Sequence, residues 1–222
     1  MRRSIAFSYF VVFALMLFFS SHAHASLVVD QSQSVVNNLA LHAPVTNRVA
    51  QSFMPSFDNI VGVRIGLGQG QLDSVSVGLY QQINSGTSSL LQDVNGNDAF
   101  ATTMSNLSPS TSTSDVNYAQ IDFGASVMLD IGNTYYLVFE GTFTGSPSFN
   151  RSFAGHDDGG TGTGNYAAGS VFTSPLTSNP VVQPNLDLAF ATLSSDVTAV
   201  PEPSSALMFL GSLLLIGMRR RR

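Results

Sequence analysis

The chain has 222 residues with no cysteine and no lysine, so all nine basic residues are arginines. Disulfides, thiolate nucleophiles and cysteine-ligated zinc are therefore excluded. Between Leu27 and Thr198 three arginines stand against thirteen acids, a net charge near −10 that repels phosphate backbones and argues against a nucleic-acid partner.

The N-terminus opens with Met1-Arg2-Arg3 and continues as an almost wholly apolar run from Ile5 to Phe19. Ala23-His24-Ala25 then supplies the small-x-small pattern that signal peptidase reads. This order predicts a signal peptide over residues 1–25, with Ser26 as the first mature residue.

Residues 26–198 are long enough for one domain with a sizeable core. Period-two alternation recurs along them. Val61-Gly62-Val63-Arg64-Ile65-Gly66-Leu67, Val75-Ser76-Val77-Gly78-Leu79-Tyr80 and Leu186-Asp187-Leu188-Ala189-Phe190 each place their apolar side chains on one face. Residues 48–53, 118–123 and 134–140 also read as strands. In the last of these, Tyr135, Leu137 and Phe139 share one face, and Tyr136, Val138 and Glu140 the other. No stretch keeps a helical period with caps. The expectation is an all-β fold: a two-sheet antiparallel β-sandwich of about eight strands with a jelly-roll-like path. Its predicted core holds Val61, Val63, Ile65, Val75, Val77, Leu79, Leu137, Leu188 and Phe190. Two segments, residues 93–115 and 155–164, read as long polar loops, where binding usually lives.

Three constellations in this domain carry candidate chemistry. Asp93, Asn95, Asn97 and Asp98 alternate oxygen ligands around Gly96, as a calcium loop would. The favoured reading is an Asx-rich turn, because no later bidentate glutamate follows. His156-Asp157-Asp158 is the densest polar cluster, and Asp157 and Asp158 are its metal-ligand candidates. The favoured reading there is a solvated loop. Calcium is thus the one cofactor the sequence offers, and the expectation is that none is required. Tyr80, Tyr136 and Tyr166 are the chosen candidates for stacking on sugar rings, from a wider set with Tyr118, Phe149 and Phe153. Ordinary core packing competes for all six.

Val200-Pro201-Glu202-Pro203 begins the C-terminal segment, residues 199–222, and cannot be helical. An apolar run from Ala206 to Met218 follows, and then Arg219, Arg220, Arg221 and Arg222. Thirteen helical residues span about 20 Å against a hydrocarbon core of about 30 Å, a marginal transmembrane helix helped by arginine snorkelling. The positive-inside rule keeps the arginines cytoplasmic and the domain outside.

A Pro-Glu-Pro motif, a short apolar helix and a terminal arginine cluster, in that order, resemble the PEP-CTERM sorting signal. The resemblance implies processing by an exosortase, which reads Pro201, Glu202 and Pro203 as a substrate signal. It implies a Gram-negative source, an inner-membrane-anchored precursor, and a destination at the cell surface or in an exopolysaccharide matrix. The strand segments themselves resemble an uncharacterised sandwich domain of bacterial surface proteins with such anchors. It brings no catalytic motif. The expected function is a non-enzymatic envelope or matrix protein, exopolysaccharide-associated or weakly carbohydrate-binding. The alternative is a secreted polysaccharide hydrolase on the same scaffold. The sequence has no G-x-S-x-G or H-E-x-x-H motif, and Glu140 is the single glutamate before the tail.

Overall fold

The computed structural model describes residues 26–34, 36–42, 48–70, 72–84, 89–142, 151–157, 166–167, 169–177 and 179–196. The expected signal peptide with Ala23 and Ala25, the tail from Val200 to Arg222, Asp158 and Phe149 lie outside the described residues. Among the described residues there is no helix, hence none long and apolar enough to cross a membrane.

Strands occur in the order β1 (Ser26–Gln33), β2 (Asn38–His42), β3 (Arg48–Phe53), β4 (Asn59–Gly66), β5 (Ser74–Gln82), β6 (Ser89–Leu90) and β7 (Phe100–Thr103). They continue as β8 (Tyr118–Met128), β9 (Tyr135–Thr142), β10 (Arg151–Asp157), β11 (Val171–Thr173), β12 (Val181–Gln183), β13 (Leu186–Leu188) and β14 (Phe190–Asp196). The largest sheet runs β12-β11-β3-β9-β5, and β6 and β7 follow one another along the far edge of β5. A second sheet runs β1-β14-β4-β8, and a small one runs β13-β10-β2. The pairings within the large and small sheets are antiparallel, as are β14–β4 and β4–β8.

The alternation in the sequence explains where the core lies. Val49 and Phe53 of β3, Val75, Val77 and Leu79 of β5, and Tyr135, Leu137 and Phe139 of β9 all turn inward from the large sheet. Ile60, Val63 and Ile65 of β4, Ile121 and Val127 of β8, and Phe190 of β14 meet them from the second sheet in one apolar cluster. Shared burial between two antiparallel sheets is consistent with a β-sandwich. Phe139 packs on Phe153 of β10 with ring centroids 6.0 Å apart, which brings the small sheet onto the same core.

Four sequence expectations need correction. Val61 was expected in the core, but it is half-buried and stands outside the cluster, whereas Ile60 is inside. The cause is a bulge in β8. Ile60 pairs with Val127 and Gly62 with Asp122, so Val61 alone spans residues 123–126. Gly124 lies in this bulge at φ +78°, and the alternation of β4 slips at this point. Secondly, residues 186–190 are not one strand. Leu186–Leu188 pairs with β10, and from Phe190 the chain pairs with β4, so it changes sheets at Ala189. Thirdly, residues 93–115 are not a single loop, because β7 lies within them. Finally, His156 and Asp157 end strand β10, and His156 is buried rather than solvated.

The inward and outward positions of β5 give a direct test. Leu79 is fully buried, whereas the Ser76 hydroxyl meets Thr102 at the surface. Leu79→Ala is expected to lower stability by about 2–5 kcal/mol through the cavity it leaves. Ser76→Ala is expected to stay within about 0.5 kcal/mol. Urea denaturation of both variants checks the contrast, and equal midpoints would contradict this assignment of faces.

Candidate functional site

Alternation that sends one side of the large sheet inward leaves the other side for its remaining residues. Register aligns these into rows that run across the strands. One row is polar: Arg48, Glu140, Ser76 and Thr102 lie side by side on β3, β9, β5 and β7. Arg48 Nε donates to Glu140 Oε2 at 2.8 Å, and the Ser76 and Thr102 hydroxyls are 2.8 Å apart. The next row reads Phe172, Ala50, Val138, Gly78 and Phe100 from β11 to β7. In the third row Tyr136 stands directly opposite Tyr80.

These residues form a second, smaller apolar cluster on the outer face. Ala50, Ile83 and Val138 are buried, and Tyr80, Tyr136, Phe172 and Leu176 cover them in part. Tyr136 meets Phe172 edge-on at 5.6 Å. Tyr80 leans back along its own strand: a Cβ added to Gly78 would lie 2.7 Å from its Cε2. The missing side chain at Gly78 is what lets that ring lie against the sheet. The turn after β11 closes one end of the cluster. Ser174 and Leu176 adopt φ of +51° and +61°, and the Leu176 amide donates to the Ile83 carbonyl at 3.1 Å. Burial pushes the Tyr80 phenol above its usual range, with Glu140 and Asp98 adding to the shift and Arg48 opposing it.

The three tyrosine candidates thus divide. Tyr80 and Tyr136 come together, whereas Tyr166 belongs to the interior. Its ring packs edge-on against Phe190 at 5.2 Å, and its hydroxyl donates to Gln31 Oε1 at 2.7 Å. Phe153 is fully buried, and Tyr118 packs beside Ala154 and Ala189. Two aromatic residues of the outer face, Phe100 and Phe172, escaped the sequence reading. Phe100 was hidden in the supposed loop, although Phe100-Ala101-Thr102-Thr103 has strand character and the ring is 51% exposed.

The oxygen-rich candidates also separate. Asp93 spends its carboxylate inside its own turn, accepting from the Asn95 and Asn97 amides at 2.8 and 2.9 Å and from the Asn97 side chain. These bonds, Asn97 first, hold its carboxyl below the usual value. Asn95 and Gly96, at φ +81°, form the turn tip, and Asp98 leads into β7. The Val94 amide donates to the Ser126 carbonyl, pinning the turn to the β8 bulge. Asp157 exchanges backbone bonds with the Asn37 side chain. Among the described residues no group of three His, Asp or Glu side chains is placed to hold a metal ion.

Asp187 was not singled out in the sequence, yet among the described residues it is the buried acid, at 2% exposure. Its carboxylate accepts from Gln51 Nε2 at 3.2 Å and from the Tyr166 amide at 2.7 Å, and it pairs across the strands with His156.

Two expectations follow from these geometries. The Asp93 turn is held by its own amides, so Asp93→Ala is expected to lower the melting temperature equally with and without a chelator. Its stabilising contribution is present above the ordinary carboxylate pKa and lost as pH falls through the lowered one. Calorimetry with EDTA across that acid range checks both. Burial pushes the Tyr166 phenol up to about 12 from 10.0, aided by Asp30 and Asp187 and opposed by a backbone bond at Met54. The neutral phenol therefore stabilises the fold in full below pH 10 and ceases to do so as pH rises through about 12. An ultraviolet pH titration is expected to lose its last-ionising tyrosine in Tyr166→Phe.

Comparison with known proteins reaches the tail more clearly than the domain. No curated protein matches the chain. Among solved structures the chain is similar to the cysteine protease and lectin-like domains of Cwp84, a surface-layer-associated protein of Clostridium difficile. That likeness has 13% identity and a TM-score of 0.41, covering 67% of this chain and 32% of that one. Residues 199–222 match the PEP-CTERM protein-sorting motif, so the protein carries a PEP-CTERM sorting signal, which implies export, membrane anchoring before processing, and sorting by an exosortase.

Proposed function

We propose that the β domain is a non-enzymatic, carbohydrate-contacting component of a Gram-negative cell surface or exopolysaccharide matrix, delivered there by its sorting signal. The outer face of the large sheet is the contact surface. The observation that carries this reading is the cross-strand pair Tyr80 and Tyr136, flanked by Phe172 and bordered by the Arg48–Glu140 ion pair and the Ser76–Thr102 hydroxyls. Sugar rings have apolar C–H faces and polar rims. A sheet that sets rings beside hydroxyls and charges matches both in one plane.

The path of the chain supports a scaffold role for the rest of the domain. The orders β1-β14-β4-β8 and β3-β9-β5-β7 are those produced by two interlocked Greek keys, and we read the fold as a jelly-roll sandwich. Strands β11 and β12 then extend one sheet and bring Phe172 to the aromatic cluster.

Exopolysaccharide purified from the native host should retain the full-length protein on an affinity column. Tyr136→Ala is expected to elute about tenfold more easily while keeping the parent melting temperature within a few degrees. Failure of the parent to bind, or full binding by the variant, would remove the carbohydrate reading. Intact mass of the protein recovered from that host tests the delivery route: loss of residues 1–25 and of the arginine cluster is expected.

A further inference from the structure

Resting on the carbohydrate reading above, we infer that the outer face of the large sheet binds an extended, uncharged polysaccharide, and that Phe100 is a further binding residue at one end of the site.

The extent of the aromatic surface points to a chain rather than a single sugar. Phe100, Tyr80, Tyr136 and Phe172 belong to β7, β5, β9 and β11, and β3 lies between the last two. Four strand spacings separate the outermost rings, about 19 Å across the sheet. That exceeds one pyranose ring several times over. The four rings stand in two adjacent rows, so they form a band perpendicular to the strands rather than a pocket. Phe100 has the most open position, at 51% exposure, while Tyr80 fills the space beside it over Gly78. A folded protein partner would favour a continuous apolar patch. Here the aromatic band is narrow, and the row beside Phe100 and Phe172 carries the Ser76–Thr102 hydroxyls and the Arg48–Glu140 ion pair.

Charge selects the class of chain. Among the described residues Arg48 is the cation of this face, and its Nε is committed to Glu140 at 2.8 Å. Glu140 and Asp98 both lie close enough to Tyr80 to raise its phenol further. The remaining basic residues between Leu27 and Thr198 are Arg64 and Arg151, on β4 and β10 in other sheets. A uronate or sulfated chain would thus meet two carboxylates, one neutralised arginine and a domain field near −10. A neutral chain loses nothing to that field. Its hydroxyls can exchange into the Ser76–Thr102 and Ser74–Thr142 bonds, which are already hydroxyl to hydroxyl.

Affinity electrophoresis of the full-length protein, through gels holding galactomannan, hydroxyethylcellulose or alginate, tests this. Retardation by at least one of the two neutral polymers is expected, little changed between low and physiological salt, with no retardation by alginate. Phe100→Ala and Tyr136→Ala should each weaken retention about tenfold. Gly78→Ser should do the same by displacing the Tyr80 ring, and thermal denaturation of each variant reports whether it remains folded. Retardation by alginate that equals or exceeds the neutral polymers, and that salt abolishes, would overturn the neutral class while leaving a carbohydrate site. Retention unchanged in Phe100→Ala would remove that residue from the site. No retardation by any polymer, together with failure on the host exopolysaccharide, would remove the underlying reading as well.

Discussion

No sheet in this protein can bury its own apolar side. Val75, Val77, Leu79, Leu137 and Phe139 are each fully buried, and they all project from the same side of the large sheet. Left in water, each large side chain would forgo about 1.5–3 kcal/mol of burial. The second sheet supplies Ile60, Val63, Ile65, Ile121 and Phe190 as partners. Strand register must then be strict, because a slip of one residue would exchange Leu137 for Tyr136 and empty the core. Everything on the outer face follows from that constraint. The tyrosines point outward because the leucines point inward.

On the inward side of β3 one position breaks the apolar rule, and it organises the join between sheets. Gln51 lies between Val49 and Phe53 on the buried side of β3. Its side chain accepts from the Leu188 amide at 2.9 Å and donates to Asp187 Oδ1 and to the Ser52 carbonyl. Asp187 in turn accepts from the Tyr166 amide. A buried amide and carboxylate are costly unless they find such partners. Satisfied, they bind β13 to β3 just before the chain leaves the small sheet at Ala189. A leucine at position 51 could pack there but could not tell β13 where to stop.

Much of this was legible in the sequence. Residues 48–53 were identified with both ends correct, and the two faces of β9 were assigned residue by residue, because simple alternation ran there without interruption. Legibility failed where a third influence entered. Val61 sits opposite the β8 bulge that contains Gly124, so its departure from the core depends on a neighbouring strand and not on β4's own pattern. Leu186 to Phe190 alternates well as one strand, yet the chain divides it between two sheets, a choice made by pairing partners rather than by periodicity. His156 read as a loop residue because glycines and aspartates follow it, whereas β10 carries it into the interior. For the candidate site, the sequence marked Tyr80 and Tyr136 as individuals. Their opposition across β5 and β9, and the arrival of Phe100 and Phe172 beside them, depend on long-range register that no local window contains.

An exported protein with an exposed aromatic band faces a hazard: flat apolar sheet faces invite association with other sheets. The outer face limits that tendency through its composition. Gly78 leaves a gap that Tyr80 fills from its own strand, which holds that ring down against the sheet. The Ser174–Leu176 turn, fastened to Ile83, blocks one end. The Arg48–Glu140 row interposes a paired charge that a second apolar sheet would have to dehydrate. Sugar hydroxyls can meet that row without dehydrating it fully, since they replace water's hydrogen bonds in kind. The features that make the face a poor partner for another protein sheet are therefore the ones on which the proposed contact with a hydrated, uncharged chain rests.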